Sequence, residues 1–253
     1  MARESLPRRL FLAFTFIFIY LWIILFKDLP RLLFQRRKKI ENQVVVITGG
    51  AMGIGKTVSK MMAIQERAKV CILDVNEDLT YNDYKLNTNV NVLGHIYTIK
   101  AFLPEMIAAK RGQIVSIGSI CSYYGERYGT AYCSAKFACR GFMEALQMEI
   151  IEKGLFNKII LTSIFPYFVK TGFIENLEEP YSTFFDVIPL EKCAREVVEA
   201  ILKEKQTHFI PGSIGPLCVF LKCFVTRSIL PYARKVFNFS YEPRRKMSRV
   251  IET

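Results

Sequence analysis

Tyr132 and Lys136, in the stretch YCSAK, are a pair of side chains whose types and spacing suit proton transfer. Residues four apart share one face of a helix, so the lysine ammonium would stand beside the phenol. Desolvation aside, a nearby positive charge stabilises phenolate, and we therefore expect the lysine to lower the pKa of Tyr132 toward working pH. The spacing alone is weak, because Tyr81 and Lys85 repeat it in a polar stretch.

The surroundings of Tyr132 strengthen this interpretation. Ser119 precedes Tyr132 by thirteen residues and ends the apolar, β-branched run GQIVSIGS. Doubly wound sheets bind ligands at the carboxyl ends of their strands, where Ser119 would lie. The sequence thus predicts a proton-transfer site that combines this serine with the tyrosine and the lysine.

A glycine-rich stretch, TGGAMGIG (48–55), follows the first predicted strand and opens the first predicted helix. Glycines allow the backbone to approach a pyrophosphate, and the helix N-terminus offers unpaired N–H groups to it. A plain tight turn is the alternative, but the strand–turn–helix context favours a dinucleotide site. The predicted contacts in this turn are Thr48, Gly49, Gly53, Ile54 and Gly55.

Asp74 ends the second predicted strand, nineteen residues after the last of these glycines. A carboxylate at this position can accept both ribose hydroxyls of an adenosine and repels a 2′-phosphate. A solvated turn residue is the alternative interpretation. The functional interpretation predicts NAD rather than NADP as the cofactor.

The elements that must position these residues alternate along the chain. Short β-branched runs predict strands, and longer periodic stretches predict helices, so the fold class is α/β with a Rossmann-like, doubly wound parallel sheet. Strands are predicted at 43–50, 69–75, 112–119, 157–165 and 207–212, and helices at 53–66, 90–109, 132–152 and 190–203. We expect this nucleotide-binding domain to span residues 41–215.

The N-terminal segment, residues 1–40, contains seventeen uncharged residues from Leu10 to Phe26. A cleaved signal peptide is the alternative to a retained anchor, but no small-x-small site follows. The basic cluster after residue 30 instead favours an anchor with the rest of the chain in the cytosol. Sequence does not distinguish a single span from a monotopic insertion. Residues 216–253 form a C-terminal apolar and basic segment, predicted as an interfacial helix or a lid.

The net charge of +12 comes from the two ends of the chain. Residues 1–40 carry +7 and residues 222–253 carry +6, which leaves −1 for the middle. Basic tails beside apolar sequence favour an anionic membrane surface over nucleic acid. Seven cysteines without a CxxC pair indicate reduced thiols, and with only two histidines we predict no metal site.

These motifs together resemble the short-chain dehydrogenase/reductase family. The matching stretches are TGGAMGIG, NVNVLGH, YCSAK and PYFVKTG, and the similarity extends over residues 5–245. The hydrophobic N-terminus, KAFLPEM and YCSAKFACRGF are most similar to the branch of membrane-bound retinol dehydrogenases and lipid-droplet 17β-hydroxysteroid dehydrogenases.

The resemblance implies a catalytic set. Tyr132 would be the acid/base, and Lys136 would lower its pKa and hold the nicotinamide ribose. Ser119 would hydrogen-bond the substrate oxygen, and Asn91 would hold a water of the proton relay. The implied reaction is hydride transfer between NAD and a hydrophobic alcohol or ketone, such as retinol or a steroid.

Further expectations follow from the same resemblance. Val169 and Thr171 would contact the cofactor carboxamide. The expected partners are a lipophilic small molecule and a membrane or lipid-droplet surface, with a homodimer as a candidate assembly. The expected location is the endoplasmic reticulum membrane or a lipid droplet, with the catalytic domain facing the cytosol.

Residues 75–90 depart from the family pattern. The family has two further strands, with their helices, between the second predicted strand and NVNVLGH, so about 55–65 residues are expected to be absent here. One absent strand would lie beside the first strand in the centre of the sheet. The alternative function is therefore a catalytically inactive, truncated, membrane-anchored member of the family.

Overall fold

The computed structural model describes residues 6–74, 84–127, 129–171, 185–224, 228–229 and 231–232. The chain divides into two compact units, residues 1–38 and residues 39–253. Two sequence features, Tyr81 and most of the polar stretch after Asp74, lie outside the described residues.

The N-terminal unit is helical. Helix α1 (Leu6–Ile23) continues through a π-helical turn (Ile24–Asp28) into the short helix α2 (Leu29–Leu33). Phe14 and Phe18 are 72% and 71% exposed, as expected for a helix whose apolar side chains lack a protein core. Within the described part of the chain, no helix meets the length and apolarity needed for a membrane span. The predicted anchor is thus a helix with exposed aromatic side chains.

The larger unit contains the predicted alternation of strands and helices. The strands are β1 (Val44–Thr48), β2 (Lys69–Leu73), β3 (Gly112–Ile117), β4 (Ile159–Pro166) and β5 (Thr207–Ile210). The helices are α3 (Gly53–Ile64), α4 (Tyr84–Asn87), α5 (Gly94–Ala109), α6 (Thr130–Glu152), α7 (Leu190–Leu202) and α8 (Ile214–Phe224). All nine predicted elements are present, within a few residues of their predicted ends.

The strands form two separate parallel sheets in the described residues, not the single sheet that the sequence predicts. β1 pairs with β2, with Val46 opposite Cys71. β3, β4 and β5 form the other sheet in that order, with Val115 opposite Thr162. β1 and β3 do not pair in the described residues. The single doubly wound sheet is thus corrected to two sheets.

The two sheets differ in burial. Every residue of β4 is buried or half-buried, and Ile164 is 0% exposed. In β2 four of the five residues are exposed, and Ile72 is 47% exposed. The strands of a parallel sheet are normally buried on both faces, and their sequences are apolar for that reason. The strands of the β1–β2 sheet are apolar, but β2 is largely exposed.

Helix packing connects the two sheets. α3 follows the glycine-rich turn of the β1–β2 sheet, and α7 leads to β5 in the other sheet. Met62 of α3 and Val197 of α7 belong to one buried cluster and are 0% and 1% exposed. The two-stranded sheet is therefore held to the rest of the unit mainly through α3.

Candidate active site

The glycine-rich turn adopts the geometry expected of a phosphate-binding loop. Gly49 and Gly53 have φ angles of +65° and +50°, in the left-handed region that favours glycine. A Cβ at Gly55 would overlap the carbonyl oxygen of Gly49, so the third glycine is required by the close packing of the turn. Thr48 ends β1 directly before this turn. The helix N-terminus of α3 is thus presented as in dinucleotide sites.

Asp74 contacts the turn directly. The backbone N–H of Ala51 donates a 2.6 Å hydrogen bond to Oδ2 of Asp74, and the residue is exposed. The carboxylate therefore ties the end of β2 to the turn. The Asp74 carboxylate therefore lies beside the glycine-rich turn, which is the position that the predicted contact with a ribose would need.

Ser119 follows β3 and caps a short 3₁₀ turn (Ile120–Ser122). Its Oγ accepts a 3.2 Å hydrogen bond from the N–H of Cys121, and its own N–H donates to Oγ of Ser122 at 3.4 Å. The reciprocal bonds fix this turn, which we call the serine turn (residues 119–122), at the carboxyl end of β3.

Tyr132 and Lys136 lie on one face of α6, and Nζ of Lys136 is 5.5 Å from the centre of the Tyr132 ring. Nζ donates a 3.2 Å hydrogen bond to the carbonyl oxygen of Ile117, at the end of β3. A hydrogen bond joins the side chains of Ser119 and Tyr132. The predicted tyrosine, lysine and serine are thus brought to the same strand end.

The pKa of Tyr132 does not follow the sequence-based expectation. Burial of the phenol, reinforced by the thiol of Cys121, raises its pKa well above the ordinary value, and the hydrogen bond with Ser119 only partly opposes this. Burial also lowers the pKa of Lys136. The predicted lowering by the ammonium is therefore wrong as the direction of the shift, because desolvation of the phenol is the largest cause and raises the pKa.

One cleft joins the two sides of the site. It has a volume of about 100 Å³, below the roughly 300–1,000 Å³ of typical ligand pockets. Five predicted residues line it, from the glycine-rich turn, the serine turn, α6 and the segment after β4: Ile54, Ser119, Tyr132, Val169 and Thr171. Lys136, Asp74 and Asn91 are not part of its lining. A Cβ at Gly53 would be 3.7 Å from Cγ2 of Thr171, so the turn and this segment are in close proximity.

Asn91 lies in a π-helical turn (Thr88–Leu93) that precedes α5. Its Nδ2 donates to Oδ1 of Asn87 at 3.1 Å, and its carbonyl oxygen accepts a 2.9 Å hydrogen bond from the thiol of Cys139. Cys139 lies on α6, three residues after Lys136. The carbonyl of Asn91 is thus directed at the helix that carries the tyrosine and lysine.

Sequence reasoning missed a contact that holds the serine turn to α6. The guanidinium of Arg140 lies 3.7 Å from the centre of the Tyr123 ring, and its Nη1 donates to the carbonyl oxygen of Ser122 at 3.5 Å. Nε of Arg140 also pairs with Glu144 at 2.7 Å. The signal was the spacing, since residues 132, 136, 140 and 144 recur every four positions.

The lining residues Tyr167 and Phe168 were also missed. They follow β4, and their rings are 5.1 Å apart in an edge-on arrangement. The apolar run that ends β4 gave no sign that the aromatic side chains after it line a cleft as well as packing in the core.

Comparisons with known proteins show which proteins this chain is similar to. The family model described as short chain dehydrogenase matches residues 74–182. The 17-beta-hydroxysteroid dehydrogenase 13 of Rattus norvegicus is 27% identical, over 82% of this chain and 87% of the relative. The epidermal retinol dehydrogenase 2 of Mus musculus is 34% identical over 67% of this chain, which spans 51% of that relative.

A solved structure shows the same fold. A short chain dehydrogenase from Burkholderia cenocepacia in complex with NADP superposes with a TM-score of 0.57 at 15% identity. The superposition covers 78% of this chain and 98% of that chain.

The alignment to the rat relative shows a difference in the number of residues between the two chains. The alignment extends over 267 positions but includes only 82% of the 253 residues, or about 207. About 60 aligned positions therefore have no counterpart in this chain. This number agrees with the 55–65 residues that the sequence analysis expects to be absent.

Proposed function

The chain belongs to the short-chain dehydrogenase/reductase family of oxidoreductases, and from this premise we propose that it transfers hydride between a nicotinamide cofactor and a hydrophobic alcohol or ketone. The observation that carries the proposal is the cleft, whose lining combines the glycine-rich turn with Ser119 and Tyr132. A nicotinamide dinucleotide, when bound, supplies or accepts the hydride. The close packing of Gly55 against Gly49 suits the pyrophosphate of that cofactor.

The side chains of the site bind the substrate oxygen and exchange a proton with it. The hydroxyl of Ser119 donates a hydrogen bond to the substrate oxygen, and Tyr132 exchanges a proton with that oxygen. Because burial raises the pKa of Tyr132, the phenol is protonated at neutral pH and is set to donate to a ketone. Lys136, hydrogen-bonded to the carbonyl of Ile117, keeps a positive charge behind the phenol.

The lining of the cleft supports a lipophilic substrate. Tyr167 and Phe168 offer aromatic surface beside Tyr132, and Phe185 packs 5.8 Å from the Tyr167 ring. The names of the relatives point to a steroid or a retinoid. An assay with both substrate classes, at matched NADH and NADPH concentrations, distinguishes them.

NAD is the proposed cofactor because Asp74 is an exposed carboxylate at the glycine-rich turn. A 2′-phosphate there would meet a like charge. Asp74→Ser removes that charge and is expected to narrow or reverse the preference for NADH over NADPH. Equal affinity of the unmodified protein for both cofactors would contradict the assignment.

A paired tyrosine substitution tests the catalytic assignment. Tyr132→Phe is expected to abolish turnover while the upward shift of the melting temperature by NADH survives, since the ring still packs in place. Tyr81→Phe is the matched control, because Tyr81 belongs to the second tyrosine–lysine pair with the same spacing, and it should leave both measurements unchanged. Normal turnover by the Tyr132→Phe protein would remove the catalytic assignment.

A second candidate function is a membrane-anchored family member that does not bind the cofactor. The split between the β1–β2 and β3–β4–β5 sheets favours it, because the strand before the glycine-rich turn does not pair with the strand before Ser119 in the described residues. NADH titration during thermal melts decides between the two, with the rat relative as the positive control. We expect a lower melting temperature and weaker NADH binding than in that relative. An upward shift of several degrees would show that this chain forms a working site.

We also propose that α1 attaches the protein to the endoplasmic reticulum membrane or to lipid droplets. The exposed rings of Phe14, Phe18 and Trp22 and the basic residues after α2 support attachment to an anionic lipid surface. Deletion of residues 1–30 should move the protein from the membrane fraction, isolated by flotation in a density gradient, to the soluble fraction. Retention by membranes after this deletion would point to the C-terminal segment, residues 216–253, as the main anchor.

A further inference from the structure

Two cysteine thiols connect the serine turn to the helix of the catalytic tyrosine. Cys121 lies in the serine turn, and Cys133 lies in the first turn of α6, directly after Tyr132. Both are reduced and buried, and their side chains are hydrogen-bonded to each other. The two sulfur atoms are therefore neighbours in the folded protein although they come from different elements.

The surroundings of Cys133 favour its thiolate. The backbone N–H of Glu126 donates a hydrogen bond to Sγ of Cys133 at 3.3 Å. The hydrogen bond from Cys121, together with this one, lowers the pKa of Cys133 despite its burial. By contrast, burial, together with the nearby carboxylate of Glu196, raises the pKa of the Cys193 thiol to about 12. Cys133 is thus the more nucleophilic of these buried thiols.

A small oxidant has a route to one thiol of the pair, that of Cys121, and through it to the hydrogen-bonded thiol of Cys133. Cys121 lines the same cleft as Ser119 and Tyr132, and this cleft reaches the surface. Hydrogen peroxide is small enough to enter a cleft of this volume, whereas a bulky alkylating reagent is not. Access is therefore through the proposed substrate cleft itself.

We propose that Cys121 and Cys133 are an oxidisable dithiol that hydrogen peroxide converts to a disulfide. The Cys133 thiolate attacks one peroxide oxygen, so an S–O bond forms, the O–O bond breaks, and the departing hydroxide takes up a proton to become water. The Cys121 sulfur then attacks the Cys133 sulfur, an S–S bond forms, and the S–O bond breaks. The hydroxyl leaves as a second water with the proton of Cys121. The two thiols lose two electrons to one peroxide.

The position of the disulfide gives it a consequence for the site. The N–H of Cys121 bonds Oγ of Ser119, and Cys133 is the sequence neighbour of Tyr132. A covalent bond between the two sulfurs shortens their separation and moves these two side chains relative to each other. On the proposed function, oxidation therefore lowers turnover, and a dithiol reductant restores it.

Peptide mapping after oxidation tests the dithiol without relying on enzyme activity. The full chain is treated with hydrogen peroxide, remaining thiols are blocked in denaturant, and the digest is analysed without reduction. The exposed cysteines are first removed in a Cys71→Ser, Cys223→Ser background, so that links between molecules do not compete. We expect about tenfold more Cys121–Cys133 link than any other cysteine pair, and its disappearance on reduction.

Two comparisons make the result decisive. In the Cys121→Ser variant, the sulfenic acid that peroxide forms on Cys133 should persist, and a dimedone probe should label it. In the Cys193→Ser variant, the yield of the Cys121–Cys133 link should be unchanged. Similar link yields in the native protein and in urea-unfolded protein, or peroxide labelling of Cys193 before Cys133, would overturn the proposal. A confirmed link with no turnover in any sample would leave the dithiol established and refute the proposed function instead.

Discussion

The two sheets of the larger unit have similar sequences but different surroundings. β1 and β2 consist almost entirely of Val, Ile, Leu and Cys, as does much of β4. β4 is paired on both sides and is buried along most of its length, whereas β1 and β2 pair only with each other in the described residues. The comparison shows that an apolar sequence is enough to predict a strand, but not whether other elements will pack against it and bury it.

The functional residues divide along the same line. The glycine-rich turn and Asp74 belong to the β1–β2 sheet, and the serine turn, Tyr132 and Lys136 belong to the side of β3, β4 and α6. In the described residues these two sides meet at the cleft and through the packing of α3 on α7. On the proposed function, cofactor binding therefore depends on the less well covered sheet, and proton transfer depends on the better covered one.

The largest expected difference between the two sheets is in the cost of removing one isoleucine. Ile164→Ala in β4 should lower the free energy of unfolding by about 2–5 kcal/mol, because the side chain is fully buried. Ile72→Ala in β2 is the matched control and should cost less than about 1 kcal/mol. Urea titrations of both variants measure the difference. Equal costs would show that the β1–β2 sheet is covered in solution.

Hydrogen exchange compares the sheets without mutation. Amides in the middle of β4 are expected to be protected about tenfold to a hundredfold more than those of β1 and β2, because a two-stranded sheet opens more readily. Exchange followed by mass spectrometry of the peptides that contain Val46 and Ile164 measures this. Equal protection of the two peptides would mean that the sheets open as one unit.

A pH-dependent effect is expected on the catalytic side, at His95 of α5. The His95 ring packs edge-on against Phe142, 5.7 Å away, and burial, with a smaller effect of Lys136, lowers its pKa to about 4. The unfolded chain binds this proton near pH 6.5, so the stabilisation is complete above that pH and is lost as the pH falls toward 4. Between pH 7.5 and 5 we expect a loss of about 1–2 kcal/mol from this residue.

The test for His95 compares urea titrations of the wild-type protein and His95→Gln at pH 7.5 and 5. The variant should lose less stability on acidification than the wild type. If both lose the same amount, protonation of His95 does not contribute.

The smallest expected effect is on the cofactor side. Asp74→Ala removes the acceptor for the N–H of Ala51 and should cost about 1 kcal/mol, since both groups are exposed to water. Asp74→Asn keeps an acceptor oxygen and should recover most of this loss. Thermal melts of the two variants without cofactor measure it. A larger loss in Asp74→Ala than in Ile164→Ala would reverse the comparison between the sheets.

The sequence by itself determined the local structure and the residue types of the site. The β-branched run VVVIT favours a strand and forms one here, and two glycines of the turn have backbone angles that other residues rarely adopt. Family motifs identified Ser119, Tyr132 and Lys136, which the structure brings to one strand end. The prediction that a segment is absent after residue 75 also came from the sequence, because motif spacing is a property of the chain alone.

Only the tertiary structure decided what depends on neighbours distant in the sequence. Whether β1 pairs with β3 depends on how the helices around them position the two strands. In the described residues they do not pair, and the strands form two sheets. The direction of the Tyr132 pKa shift depends on how much water the fold removes from the phenol, and this burial raises the pKa despite the hydrogen bond with Ser119. The contacts of Arg140 with Tyr123 and of Cys121 with Cys133 likewise join separate elements, so their energies exist only once the serine turn packs on α6.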